Sequence, residues 1–73
     1  MKTYLMVLFS SEGSAPQEVA DRLTSLGFKP VHGEYDFAYP WVHSPSVEEV
    51  LSFGDQVHKT LKGMKVMFKM ETV

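Results

Sequence analysis

Most of the side chains here with chemical reach fall in one stretch, His32-Gly-Glu-Tyr-Asp-Phe-Ala-Tyr-Pro-Trp-Val-His43. It contains two of the three histidines, the only tryptophan and two of the three tyrosines. Imidazoles suggest metal ligation or proton transfer. A helical metal site sets two histidines one turn apart, and no pair among His32, His43 and His58 has that spacing. Cysteine is absent, which excludes a thiolate metal site and a disulfide framework alike. Histidines at the surface or rim are therefore expected, with no metal and no cofactor. If one imidazole is functional it is His43, next in alternation after Trp41.

Phe37, Tyr39 and Trp41 recur at every second position, which puts three aromatics on one face of a strand. Such a row is most often half of a core or of a dimer interface, and less often a ligand platform. In the ligand reading, Gly33 permits close backbone approach at the preceding turn and Asp36 accepts a bond from a ligand amine. The candidate binding set is thus Gly33, Asp36, Phe37, Tyr39, Trp41 and His43. Asp21, Glu48, Glu49 and Asp55 read as solvated helix faces, with Glu48 and Glu49 also favourable at a helix N-terminus. No Ser-His-Asp or Cys-His arrangement can be built, so no catalytic residue is assigned. Gly33-Glu-Tyr-Asp36 is too short for a phosphate loop and precedes a strand, where a phosphate loop precedes a helix.

The elements that must carry these residues follow from periodicity. Lys2 to Phe9 alternates Thr3, Leu5, Val7 and Phe9 with Tyr4, Met6 and Leu8, a strand apolar on both sides. Such a strand sits centrally with both faces covered, yet two helices in so short a chain cover only one. Something else is expected on the other. Ser14-Ala-Pro-Gln17 has capping-box spacing, and Val19, Ala20, Leu23 and Leu26 then recur as on a helix, predicted from Ala15 to Leu26 and closed by Gly27. Phe28 to Glu34 reads as an edge strand because of Pro30. The turn is placed at Glu34-Tyr35, with the next strand over Asp36 to Val42. A hairpin centred near Tyr35 sets Pro40 close to opposite Pro30 and interrupts the ladder there.

A second helix starts at Ser44 or at Ser46, the latter with Glu49 three residues on. Its expected stripe is Val47, Val50, Leu51, Val57 and Leu61. Gly54 falls on that stripe, which implies close approach of the helix to the sheet. Gly63 ends it. Met64 to Val73 is the last strand, with Met64, Val66, Phe68 and Met70 on one side and Lys65, Lys69 and Glu71 on the other. The order β-α-β-β-α-β predicts an α+β, ferredoxin-like domain over residues 1–73, with one antiparallel four-stranded sheet and two helices on one face. The bare face, expected to hold one apolar set from the first strand and one from the third, is an interface or a binding floor.

Composition narrows the function classes. The 73 residues carry seven basic and nine acidic side chains, a net charge of −2 without a concentrated basic patch, so nucleic-acid binding is not expected. The apolar run from Tyr4 to Phe9 is far too short for a bilayer span and lacks a signal-peptide layout. A soluble, unprocessed, cytoplasmic domain is the expectation. With 44% hydrophobic and 12% aromatic residues it should fold, though near the size at which partners help.

The run Val31-His-Gly-Glu-Tyr-Asp-Phe37, the helical Val47-Glu-Glu-Val-Leu51, and Leu61-Lys-Gly-Met-Lys-Val66 leading into Glu71-Thr-Val73 resemble the effector-binding domain of Lrp/AsnC-type regulators. The resemblance covers residues 31–73 and centres on Gly33, Tyr35 and Asp36. It implies a ferredoxin-like domain that dimerises through its sheet and binds amino acids at a subunit boundary near Gly33 and Asp36. No helix-turn-helix precedes these residues, so the implied form is a stand-alone sensor. Tyr39-Pro-Trp41 departs from the pattern of that strand. The leading expectation is a small non-enzymatic module that self-associates, as a homodimer or larger, and binds a small metabolite such as an amino acid. The alternatives are a dimeric ferredoxin-like barrel enzyme using His or Asp as acid or base, and a domain that meets a different protein partner.

Overall fold

A computed structural model describes residues 1–73. The alternating first segment forms β1, Lys2–Leu8, and the capped periodic segment forms α1, Pro16–Leu26. Next come a short β2, Lys29–Pro30, and β3, Phe37–Pro40, then α2, Val47–Leu61, and β4, Met67–Thr72. The strands make one antiparallel sheet in the order β2-β3-β1-β4. This is the ferredoxin-like β-α-β-β-α-β layout, with β1 inside as its two apolar faces require. No helix is long and apolar enough to cross a membrane.

Alternation on β1 decides what the core contains. Leu5 and Val7 are buried on one face with Val19 and Leu23 of α1 and Phe53, Val57 and Leu61 of α2. Each such side chain, fully buried, contributes roughly 1.5–3 kcal/mol. Both helices therefore cover the same side. Tyr4, Met6 and Leu8 point to the other side, which no element covers.

The helix ends differ in how they are made. At α2, Ser46 is the cap: its hydroxyl accepts from the Glu49 N–H at 3.1 Å and the Glu49 carboxylate accepts from the Ser46 N–H at 3.0 Å. Of the two possible starts, the one with the full capping box is used. At α1 the expected Ser14 box does not form. Ala15 is the cap residue without a side-chain bond, and the Ser14 N–H, which a capping box would give to Gln17, is bonded to the Met64 carbonyl at 3.0 Å. Gly27, at φ 107°, closes α1, with the Gly27 and Phe28 N–H groups donating to Thr24 and Leu23.

Three further expectations are corrected. The α2 stripe is Val50, Phe53, Val57 and Leu61, whereas Val47 and Leu51 are 76% and 65% exposed. The bulk of Phe53 sets the helix phase, since its ring fills the space against Phe28 and Tyr39. The hairpin register pairs Lys29 with Ala38 and Pro30 with Phe37, so its centre lies between Gly33 and Glu34 and not near Tyr35. Pro40 faces Lys2 on β1, not Pro30. Strand β3 does end at Pro40, although the Trp41 N–H still reaches the Met1 carbonyl at 3.1 Å. Finally, β1 stops at Leu8, and Phe9 is 45% exposed outside the core. Gly54 is close-packed as anticipated: a Cβ there would sit 3.2 Å from the Met70 methyl on β4.

Candidate functional site

The register of β1 with β3 determines where the aromatic row goes. Leu5 faces Phe37 and Thr3 faces Tyr39, and residues directly opposite share a side of the sheet. Phe37 and Tyr39 thus join Leu5 and Thr3 beneath the helices, and Trp41 packs with them. Phe37 is buried, while Tyr39 and Trp41 are half-buried. The Tyr39 ring centre lies 4.4 Å from that of Phe53 and 5.9 Å from that of Phe28, and Trp41 meets Phe53 edge-on at 5.4 Å. The row is therefore core. Of the readings open to it, the register supports the core, on the helix-covered side and away from the bare face.

The row also carries a polar thread. The Trp41 indole N–H donates to Thr3 Oγ1 at 2.7 Å, and the Thr3 and Thr72 hydroxyls are bonded at 2.7 Å. Thr3 is fully buried, yet no buried side-chain nitrogen or oxygen lacks a partner. Beside the thread, where α2 begins, Leu26, Tyr39, Trp41, Glu49, Phe53 and Gln56 border a shallow groove of about 400 Å³.

The six candidate residues do not converge. His43 is 61% exposed, outside the lining of the groove, with Nε2 2.9 Å from Glu49 Oε2. The Ser46 N–H, and then His43, hold the Glu49 carboxyl below its ordinary value. Asp36 sits at the other end of β3, where its Oδ2 accepts from the Val7 N–H at 2.9 Å and its own N–H donates to the Leu5 carbonyl at 2.9 Å. It continues the β1–β3 ladder with a side chain. Gly33 is exposed at φ 117° with open space around it. Five residues of extended chain, about 17 Å, separate Asp36 from Trp41. No group of three His, Asp or Glu side chains is placed to hold a metal ion.

The uncovered face has an order of its own. Lys29, Ala38, Tyr4 and Glu71 are successive cross-strand partners and form one row across all four strands. Farther along, Met6 faces Lys69 and Leu8 faces Met67, and the last two are 59% and 71% exposed. Tyr35 lies across this face, its ring centre 5.5 Å from that of Tyr4 and its hydroxyl donating to Glu71 Oε2. That bond, with burial and the charges of Glu71 and Glu34 behind it, pushes the Tyr35 phenol above its ordinary value. Ala38 is 4% exposed at the floor of a hollow of about 210 Å³ edged by Lys2, Lys29, Val31 and Pro40.

No family model, curated protein or solved structure matches this chain. The site is therefore assigned on geometry. Sequence reading placed Tyr4, Met6 and Leu8 on the far side of β1 and Lys69 and Glu71 on the outer side of the last strand. It missed Lys29, Ala38 and Tyr35 as parts of the same surface. Strand alternation could have set Ala38 opposite in sense to Phe37 and Tyr39, but nothing local reveals that Tyr35 crosses β1 to reach Glu71.

Proposed function

We propose that this chain is a small non-enzymatic binding module whose working surface is the uncovered sheet face, through which two copies associate. The observation that carries this reading is the Leu8–Met67 pair, exposed side by side on a central strand and its neighbour. Apolar side chains on an interior strand are normally covered, and each Å² removed from water there is worth about 25 cal/mol. The half-buried Tyr4 and Met6 extend the patch, and lysines and Glu71 punctuate it. The resemblance to Lrp/AsnC effector-binding domains agrees with association through the sheet, and implies an amino-acid ligand near Gly33 and Asp36. The groove beside Tyr39 and Trp41 offers a second place for a small metabolite. An acid–base enzyme draws less support, since His43 faces solvent and Asp36 is bonded to the Val7 N–H.

The test is the molar mass in solution by light scattering across a tenfold concentration range. A dimer that weakens in Leu8→Ser or Met67→Ser, with the helical circular dichroism unchanged, supports the reading. A monomer throughout refutes it. An amino-acid screen by Trp41 fluorescence follows on the dimer.

A further inference from the structure

Resting on that reading, we propose how the two copies meet: face to face about a two-fold axis parallel to the strands and passing between β1 and β3. Tyr4 of each copy then enters the Ala38 hollow of the other, and Lys29 of each pairs with Glu71 of the other.

The argument begins with the row Lys29-Ala38-Tyr4-Glu71, fixed by three sets of strand pairs. Its ends carry opposite charges and, at three strand spacings, stand about 14 Å apart. Its middle pair sets the smallest side chain beside one of the largest. Two sheets in face-to-face contact lie about 10 Å apart and admit two kinds of two-fold axis in the plane between them.

An axis perpendicular to the strands keeps each strand over its own copy. Lys29 then opposes Lys29, Glu71 opposes Glu71 and Tyr4 collides with Tyr4. Like charges set against each other are repulsive, and two opposed tyrosines leave both Ala38 hollows empty. An axis parallel to the strands reverses the order across the sheet. Lys29 then opposes Glu71 twice, and Tyr4 opposes Ala38 twice. For axes that bring the row onto itself, charge and volume both favour the one parallel to the strands.

Surrounding features agree with it. The hollow over Ala38 is rimmed by Lys2, Lys29, Val31 and Pro40, so an aromatic ring entering it meets an apolar floor with lysine stems at its edge. Tyr35 occupies Oε2 of Glu71 and leaves Oε1 for the incoming ammonium group. Ring contact with Tyr35 holds Tyr4 in place before association, so less side-chain freedom is lost on binding. Because the height along the strands is preserved, the β2–β3 hairpin of the second copy lies over Leu8 and Met67, covering the exposed pair. The twist of each sheet rotates the strands by about 30° away from this contact, an offset that the long Lys29 side chain spans.

Charge reversal tests the axis. Lys29→Glu and Glu71→Lys are each expected to weaken the dimer about tenfold, since each places like charges together at both ends of the row. The double variant, with the two charges exchanged, is expected to recover most of the wild-type affinity. Sedimentation equilibrium reads the dissociation constants, and circular dichroism confirms that each variant is folded. Lys29 is exposed on a two-residue edge strand, so its replacement tests the contact without disturbing the core. If the wild type dimerises but Lys29→Glu binds as tightly, or if the double variant is no better than the singles, the axis is wrong while self-association stands. If the wild type is monomeric at every concentration, both fall.

Discussion

The indole of Trp41 and the hydroxyl of Thr3 are joined by a 2.7 Å hydrogen bond that ties the chain just past β3 to the central strand. Thr3 passes the connection to Thr72, so three strands of the sheet share one polar contact at the edge of an apolar core. Thr3 itself is fully buried, and its partners Trp41 and Thr72 are half-buried. Thr3→Val keeps the shape and removes the oxygen. It is expected to destabilise the fold by about 1 kcal/mol or more, from the lost hydrogen bonds and a partly buried indole N–H left without its partner. Urea denaturation followed by Trp41 fluorescence measures the loss.

Asp36 is expected to act as a structural acceptor. Asp36→Ala leaves the Val7 N–H without its 2.9 Å partner and should cost about 1–3 kcal/mol, with Asp36→Asn losing less because one oxygen remains to accept. Hydrogen exchange at the Val7 amide reports it directly: protection should fall in the Ala variant and largely persist in Asn.

Gly13 lies where the loop after β1 meets the end of α2. A Cβ at this position would stand 2.4 Å from the Met64 carbonyl oxygen and 2.9 Å from that of Lys65. Both obstacles are backbone, and the adjoining Ser14 N–H is bonded to the same Met64 carbonyl. Gly13→Ala is expected to cost about 1–3 kcal/mol through forced displacement, visible as a lower urea midpoint with an unchanged slope.

One carboxylate and one phenol give the stability opposite slopes at the extremes of pH. Glu49 binds its proton less tightly folded than unfolded, because of the Ser46 N–H and His43, so its contribution is present above the ordinary value of 4.5 and is lost as pH falls through the lowered one. Tyr35 binds its proton more tightly when folded, chiefly through its bond to Glu71. Its contribution is present below the ordinary value of 10.0 and is lost as pH rises through the raised one. Glu49→Gln should flatten the acid limb of a stability–pH curve and Tyr35→Phe the alkaline limb. Thermal unfolding from pH 3 to 11 distinguishes the two.

Much of the architecture is legible locally. The two-faced β1, the Gly27 stop, the Ser46-Val-Glu-Glu49 cap and the close approach at Gly54 each follow from a few neighbouring residues. The failures share a cause. The Ser14 N–H is bonded to a carbonyl fifty residues away in sequence, at Met64. Leu51 is turned outward because Phe53 fits the gap against Phe28 and Tyr39. The aromatic row reads from sequence as core, interface or platform, and only the pairing of Leu5 with Phe37 puts it beneath the helices, opposite the open face.

By itself, then, the sequence determined the type and order of the elements and hence the ferredoxin-like layout, because periods of two and of about 3.6 residues are properties of neighbouring residues. Only the tertiary structure decided which side of β3 is covered, how six candidate residues divide between two ends of a strand, and that Lys29, Ala38, Tyr4 and Glu71 form one row. Those depend on register between strands far apart in the chain. A slip of one residue carries every side chain of a strand to the opposite face, so no reading of a single strand can supply them.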